Sequence, residues 1–225
     1  MSALPETATL VVLISGQGRN LQALIDAMAA GRLPARIAAV ISNRMDAQGL
    51  ERARRAAIPT QVLSHRDFPD REAFDAALAE AVAAHAPDGV VLAGFMRILT
   101  PVFIRRFAGR MLNIHPSLLP RHPGLRTHEA VLAAGDRQHG ATVHFVTEAL
   151  DGGPSIIQGG LTVQPEDTPE TLGARVMNEI ELRIYPQAVR WMAEGQLALR
   201  TDGVWFRGQP LKAPLGLDAL DADFR

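Results

Sequence analysis

Short apolar runs alternate along the chain with longer segments whose apolar residues recur every three or four positions, the pattern of strands alternating with helices. Residues 10–14, 37–41, 61–63, 89–93 and 111–114 predict five strands. Between them, Leu21, Leu24, Ile25 and Met28 form a one-sided stripe that Gly31 ends, and Phe74, Leu78 and Val82 form a second, with Pro87 beyond it. Thr100-Pro101 offers an N-cap and a first-turn proline to a short helix running toward Phe107. This alternation predicts an α/β fold with a mostly parallel central sheet and helices on both faces.

Beyond Met111 the pattern changes. Five of the seven histidines lie between His115 and His144, in a stretch rich in proline and glycine. Residues 141–146 and 155–163 predict two further strands around the turn Asp151-Gly152-Gly153-Pro154. Thr168-Pro169 opens a long helix with Leu172, Val176, Ile180 and Ile184 four apart, and Pro186 is expected to kink or split it before Trp191. Residues 197–200 and 204–207 around Thr201-Asp202-Gly203 predict a C-terminal hairpin. Pro210, Pro214 and the acidic stretch 218–223 then predict a loosely packed end. With no repeat and no linker, the reading is one domain over 1–225. It has a phosphate-binding, nucleotide-fold half (10–110), a catalytic half (111–195) and a terminal hairpin and tail (196–225).

Composition narrows the function classes. The 225 residues carry 23 Lys+Arg against 24 Asp+Glu, a balance that argues against a dedicated nucleic-acid binder. There is no cysteine, so disulfides, thiolate metal sites and cysteine nucleophiles are excluded, and cytoplasmic residence is permitted. The first apolar run is far shorter than the ~20 residues a bilayer span requires. Residues 1–9 are short and polar and lack a basic leader, so they are expected to be a frayed tail, and the protein is expected to be soluble.

The first strand runs into Ser15-Gly16-Gln17-Gly18-Arg19-Asn20 and then the first helix. Glycines permit a tight turn that exposes main-chain N–H groups, and the helix terminus adds a positive dipole, so the loop suits a phosphate. Arg19 adds charge, and Asn20 can cap the helix or meet a ligand. A dinucleotide site would need a third glycine where Leu21 and Gln22 stand, and a carboxylate after the second strand where Ser42-Asn43-Arg44 stands. That triplet leaves an NADP reading open, as the loop leaves open a purely structural turn. A P-loop is excluded, because no Gly-Lys-Ser/Thr follows.

Asn113 and His115, two apart on a strand that Pro116 ends, leave one face at its rim. There an amide can polarise a developing oxyanion and an imidazole can move protons near neutral pH. Asp151 in its turn is the candidate to set the charge of the histidine. His144 either faces this site from its strand or packs beneath it. No metal-binding spacing is present, since His128-Glu129 lacks the second histidine of a zinc motif.

Four segments occur in order: Val12-Leu-Ile-Ser-Gly-Gln-Gly-Arg-Asn20-Leu-Gln, Leu92-Ala-Gly-Phe-Met-Arg-Ile-Leu99, Asn113-Ile-His115-Pro-Ser-Leu-Leu-Pro120 and His144-Phe-Val-Thr-Glu-Ala-Leu-Asp151-Gly-Gly-Pro154. By these the chain resembles the phosphoribosylglycinamide formyltransferases of the formyltransferase superfamily, from about Leu10 to Trp191. The resemblance implies the Rossmann-like formyltransferase fold and transfer of formyl from 10-formyltetrahydrofolate to the amine of phosphoribosylglycinamide in purine synthesis. It implies small-molecule partners, no nucleic acid, no membrane, no metal and no tightly bound cofactor, in a monomer or homodimer. His115 matches the general acid/base, Asn113 the group on the formyl oxygen and Asp151 the proton-relaying carboxylate. Gly18, Arg19, Asn20, Leu21 and Gln22 match the loop that holds the substrate phosphate and ribose. Arg71, Met96, Arg97, Ile98, Leu99 and Asn113 match folate contacts, and Thr147, Glu148, Ala149 and Leu150 match the loop over the pterin.

Two departures stand out. Gln17 and Arg19 replace residues that are often Asn and Ser. The family glutamate that contacts the glycinamide end is Glu181 when counted back from Tyr185-Pro186, whereas counting forward from Ala174-Arg175-Val176 lands on Ile180. The helix thus carries one extra residue, and Glu179 is the rival. Formyltetrahydrofolate hydrolase and methionyl-tRNA formyltransferase share the core but usually carry an additional domain. An NADP oxidoreductase and a non-catalytic phosphoribosyl or folate sensor complete the alternatives.

Overall fold

The structure is a computed structural model that describes residues 7–225. The predicted N-terminal tail falls mostly outside the described residues. β1 (Ala8–Ile14), β2 (Ala35–Ser42), β3 (Thr60–Val62), β4 (Gly89–Leu92) and β5 (Met111–His115) pair in parallel. β6 (Gln138–Phe145) and β7 (Ser155–Thr162) extend the sheet antiparallel, in the order β3-β2-β1-β4-β5-β6-β7. All seven residues of β1 are buried because helices cover both faces of the sheet. Val12 and Ile14 face a core shared with α1 (Arg19–Ala29) and the C-terminal helix α7 (Leu182–Ala193). Val11 and Leu13 face a second core against α3 (Arg71–Ala83) and α4 (Pro101–Arg106).

Two short helices escaped the sequence reading: α2 (Gly49–Arg55) and α5 (Thr127–Ala134). Each is only seven or eight residues long, too short for a periodic stripe to declare itself. α6 (Pro169–Val176) begins at the expected Thr168 cap. The expected break at Pro186 is not found. Pro186 lies inside α7, and regularity is lost earlier, in a π-turn at Met177–Glu181. A π-turn absorbs one extra residue within a helix, which accounts for the surplus position counted in the sequence. The widened turn just upstream also gives the proline ring room, where its missing N–H would otherwise be owed to the Leu182 carbonyl.

The C-terminal hairpin, β8 (Leu197–Arg200) and β9 (Gly203–Phe206), gains a short third strand, β10 (Gln209–Pro210). The tail after it is not loose. Leu215 pairs with the edge of β7 through its N–H to Ile156 O and its carbonyl to Gln158 N, both 2.8 Å, so an edge that could aggregate is covered. Leu220 and Phe224 are buried, and Gln187 bonds both the side chain and the main chain of Asp221. Asp221 and Asp223, in the acidic stretch expected to be loosely packed, are thus held by α7.

The fully buried Tyr185 fixes α7 to the sheet, its hydroxyl lying 2.7 Å from Leu92 O and 3.2 Å from Leu112 O. Tyr185→Phe should cost about 1–2 kcal/mol, the range for a buried hydrogen bond, read as a lower urea midpoint at unchanged slope. A second buried polar contact joins β6 to α5: His128 Nδ1 and His139 Nε2 lie 2.8 Å apart. Burial first, then the neighbouring His128, pushes the His139 imidazole down to about 4. Unfolded, it takes a proton near 6.5, so the unfolded state binds more protons between these values. Stability should therefore be full above pH 6.5 and fall as the pH drops toward 4. His139→Gln should flatten that fall in urea titrations at pH 7.5, 6 and 5, and an equally steep fall would remove His139 from the account.

Candidate active site

The strand order reverses between β1 and β4, which opens a crevice at the carboxyl edge of the sheet. Ser15 joins the loops leaving these strands. Its hydroxyl donates to Asn43 Oδ1 (2.6 Å) and accepts from the Met96 N–H (2.8 Å), while its own N–H bonds Gly94 O (3.0 Å). The triplet after β2 is thereby spent internally, since Asn43 meets Ser15 and Arg44 pairs with Asp46 at 2.7 Å. Gly18 has a φ of 71°, and a Cβ there would lie 2.6 Å from Gly49 Cα, so glycine alone lets α2 back onto the loop. No side chain caps α1, which leaves its first-turn N–H groups available to an anion.

Asn20 does not cap the helix. Its Nδ2 donates to Glu181 Oε2 at 2.7 Å, and its Oδ1 is buried without a partner. Burial raises the Glu181 carboxyl above its usual range, against the opposing effects of the Asn20 bond and the Arg19 charge. Glu179, the rival, is exposed and pairs with Arg175 at 3.3 Å. The π-turn thus brings Glu181 and not Glu179 to the glycine loop. The Leu21 side chain is fully buried in the core, so only its main-chain N–H is open to a ligand. Arg19 and Gln22 line a small cavity beside α1.

On β5, Leu112 and Ile114 enter the core while Asn113 and His115 leave the opposite face. His115 is buried, and its Nε2 bonds the His122 carbonyl at 2.9 Å. A carbonyl only accepts, so Nε2 carries a hydrogen. Nδ1 faces Asp151 Oδ2 at 3.5 Å. Asp151 has a left-handed φ of 48°, a conformation aspartate tolerates better than most residues, and its Oδ2 also accepts the Gly124 N–H at 2.8 Å. Its turn presses against β6 at Gly153, where a Cβ would lie 1.7 Å from Phe145 O.

His144 stands opposite Asn113 across the β5–β6 pair, at a register shift in the β6–β7 ladder. Its Nδ1 donates to Phe145 O (2.9 Å) and its Nε2 accepts from Asn113 Nδ2 (3.1 Å). Burial lowers its pKa and favours this neutral form. The Asn113 amide is thereby oriented and keeps its second N–H uncommitted. The sequence left open whether His144 faces the site or packs beneath it, and the structure places it on the site face. Only the antiparallel register, which the sequence does not display, reveals its partner.

Asn113, His115 and Asp151 sit in the wall of a cavity of about 540 Å³ that is also lined by Arg71, Met96, Arg97, Ile98, Leu99, Thr147, Glu148, Ala149 and Leu150. Arg71 braces the Met96–Leu99 segment through Ile98 O (2.8 Å), and Glu148 is held by Arg105 (2.8 Å). The residues 124–128, unforeseen in the sequence, form the facing rim. Gly18, Arg19, Asn20, Leu21, Gln22 and Glu181 do not line this cavity; they form a separate cluster around the N-terminus of α1. Among the described residues no group of three or more His, Asp or Glu is placed to hold a metal, and no helix is long and apolar enough to cross a membrane.

The formyl transferase family model matches residues 8–189. Over 202 residues the chain is 50% identical to the phosphoribosylglycinamide formyltransferase of Escherichia coli (strain K12), covering 90% of this chain and 95% of that one. The Haemophilus influenzae enzyme of the same name is 48% identical over 202 residues, with the same shares of the two chains covered. The solved structure of the Coxiella burnetii phosphoribosylglycinamide formyltransferase in complex with CHES superposes with a TM-score of 0.89 at 49% identity, covering 94% of this chain and 99% of that one. An amide–imidazole–carboxylate set at the sheet edge, an anion-ready helix terminus and this likeness together place the chain in the formyl transferase family, among the phosphoribosylglycinamide formyltransferases.

Proposed function

We propose that the protein transfers the formyl group of 10-formyltetrahydrofolate to the amine of 5-phosphoribosylglycinamide, giving the formylated ribonucleotide and tetrahydrofolate. The observation that carries the reading is the meeting of Asn113, His115 and Asp151 at one wall of a folate-sized cavity. The nearby uncapped helix terminus suits the phosphate of the second substrate.

The folate enters the larger cavity between Met96–Leu99 and Thr147–Leu150, with the Arg71 guanidinium at its edge. The phosphate docks on the N–H groups of Gly18, Arg19, Asn20 and Leu21, with Arg19 and Gln22 beside them. Glu181, held by Asn20, receives the glycinamide end. The neutral amine attacks the formyl carbon, and the carbonyl oxygen gains negative charge. The free N–H of Asn113 donates to that oxygen, with the His115 imidazole and Asp151 beside it as the proton-handling pair. Collapse of the intermediate breaks the bond to the folate nitrogen. One proton leaves the attacking nitrogen and one reaches the departing nitrogen, so the His115–Asp151 pair, through a bridging water, ends each cycle as it began.

Both substrates are small molecules, and one copy of the chain carries every residue named, which suits a monomer or a homodimer. The absence of cysteine is consistent with a cytoplasmic setting. Tetrahydrofolate release from 10-formyltetrahydrofolate should depend on added phosphoribosylglycinamide, and release at the same rate without the amine would make the protein a hydrolase. His115→Ala and Asp151→Ala should each lower kcat by at least ~10²-fold, the scale of a positioned proton carrier. Asn113→Ala should lower it ~10²–10³-fold, as for a lost oxyanion donor. Near-wild-type turnover in any of these purified variants removes that residue from the mechanism.

A further inference from the structure

A second cavity, of about 250 Å³, lies between α1, α2 and α7; it shares Arg19 and Gln22 with the glycine loop and extends beyond it. Its wall carries three guanidiniums, from Arg19, Arg32 and Arg52, over an apolar floor of Leu182 and Pro186. All three arginines are half-buried. Several arginines elsewhere meet carboxylates, as Arg106 meets Glu80, Arg175 meets Asp167 and Arg190 meets Glu194, and some, such as Arg71 and Arg110, meet only main-chain carbonyls. These three bond only neutral acceptors. Arg19 donates to Asn178 Oδ1 in the π-turn. Arg32 donates to Asp223 O (2.9 Å), and Arg52 to Gln17 O (2.8 Å) and Gln22 Oε1 (3.3 Å).

One carboxylate, Asp26, also lines the cavity, and it is occupied by Gln22 Nε2 at 2.9 Å. Three cations against one anion leave the wall, which runs along α1 from Arg19 in its first turn to Arg32 beyond its last, with an excess of positive charge. Each guanidinium keeps N–H donors that these neutral acceptors do not use, and the oxygens of an anion would complete them. The volume is that of roughly eight waters, room for one or two phosphate groups but not for a whole nucleotide.

We infer that this cavity is a second anion subsite that takes a phosphate or diphosphate group, contiguous with the glycine loop but separate from it. Arg32 belongs to this subsite alone. Arg19 is shared with the loop, so an anion here draws its guanidinium away from the substrate phosphate. The occupant therefore raises KM for the phosphoribosylated substrate without changing kcat. Free diphosphate and the phosphate end of a nucleotide present the same chemistry.

The test uses inorganic diphosphate titrated calorimetrically into the full chain at low ionic strength, with phosphoribosylglycinamide present at saturation and with it absent. Diphosphate should bind in both cases, more weakly when the substrate is present. Arg32→Gln should weaken it at least ~10-fold, the loss of one charge-assisted fork. Arg32 also stacks over the Phe224 ring at 5.1 Å, and Arg32→Lys, which keeps a cation there but loses the fork, should bind diphosphate more tightly than Arg32→Gln. Turnover at saturating substrates should be unchanged in both variants, a readout that also separates this inference from the proposed reaction. ADP binding more tightly than diphosphate would identify a nucleotide end, and equal binding would identify free diphosphate. The inference is overturned if diphosphate fails to bind, if Arg32→Gln binds it like the unaltered protein, or if saturating substrate abolishes binding.

Discussion

Asp151 reaches His115 only because β6 returns antiparallel along β5 and its chain then folds back over the strand ends. The approach also requires glycine at Gly153, where the turn touches the Phe145 carbonyl, and a left-handed backbone at Asp151 itself. Once there, the carboxylate takes the Gly124 N–H, which anchors the rim of the larger cavity to the same group that faces the imidazole. His115 is held from its other side by the His122 carbonyl. Both partners are nearly excluded from water, so each makes the burial of the other tolerable. The neighbouring Asn113–His144 pair follows the same logic with neutral groups, one tautomer fixing the orientation of one amide.

The rest of the molecule divides recognition between two ends of the crevice. One end is apolar and roomy, bounded by loops that Arg71 and Arg105 brace. The other is built from main-chain N–H groups at a helix terminus, with arginines around it and the buried Glu181 behind it. The π-turn ties the second end to the surplus residue in the C-terminal helix. A surplus residue in a regular helix would rotate everything beyond it by about 100°. Confined to a π-turn, it leaves Glu181 against Asn20 and Tyr185 against the strand ends, and it delivers Asn178 to Arg19.

Much of this was legible in the chain itself. Strands buried on both faces announce themselves as apolar runs, and the glycine loop, the Asn113–His115 alternation and the Asp151 turn each follow from local chemistry. What stayed hidden depends on partners distant in sequence. His144 needed the β5–β6 register before its function of orienting Asn113 could be seen. Leu21 sat in a loop motif, yet its side chain belongs to the core. The tail read as loose because its acidic residues gave no hint of Gln187 or of the uncovered edge of β7. Pro186 looked like a break because the sequence does not reveal the π-turn that accommodates it.

The central claim is that His115 and Asp151 act as one proton-handling unit rather than as two independent groups. Single-turnover formyl transfer measured in a double-mutant cycle of His115→Ala and Asp151→Ala tests it most directly. Groups that act as a unit are strongly non-additive, so the double variant should be about as slow as the slower single variant. A double variant slowed by the product of the two single effects would contradict the account.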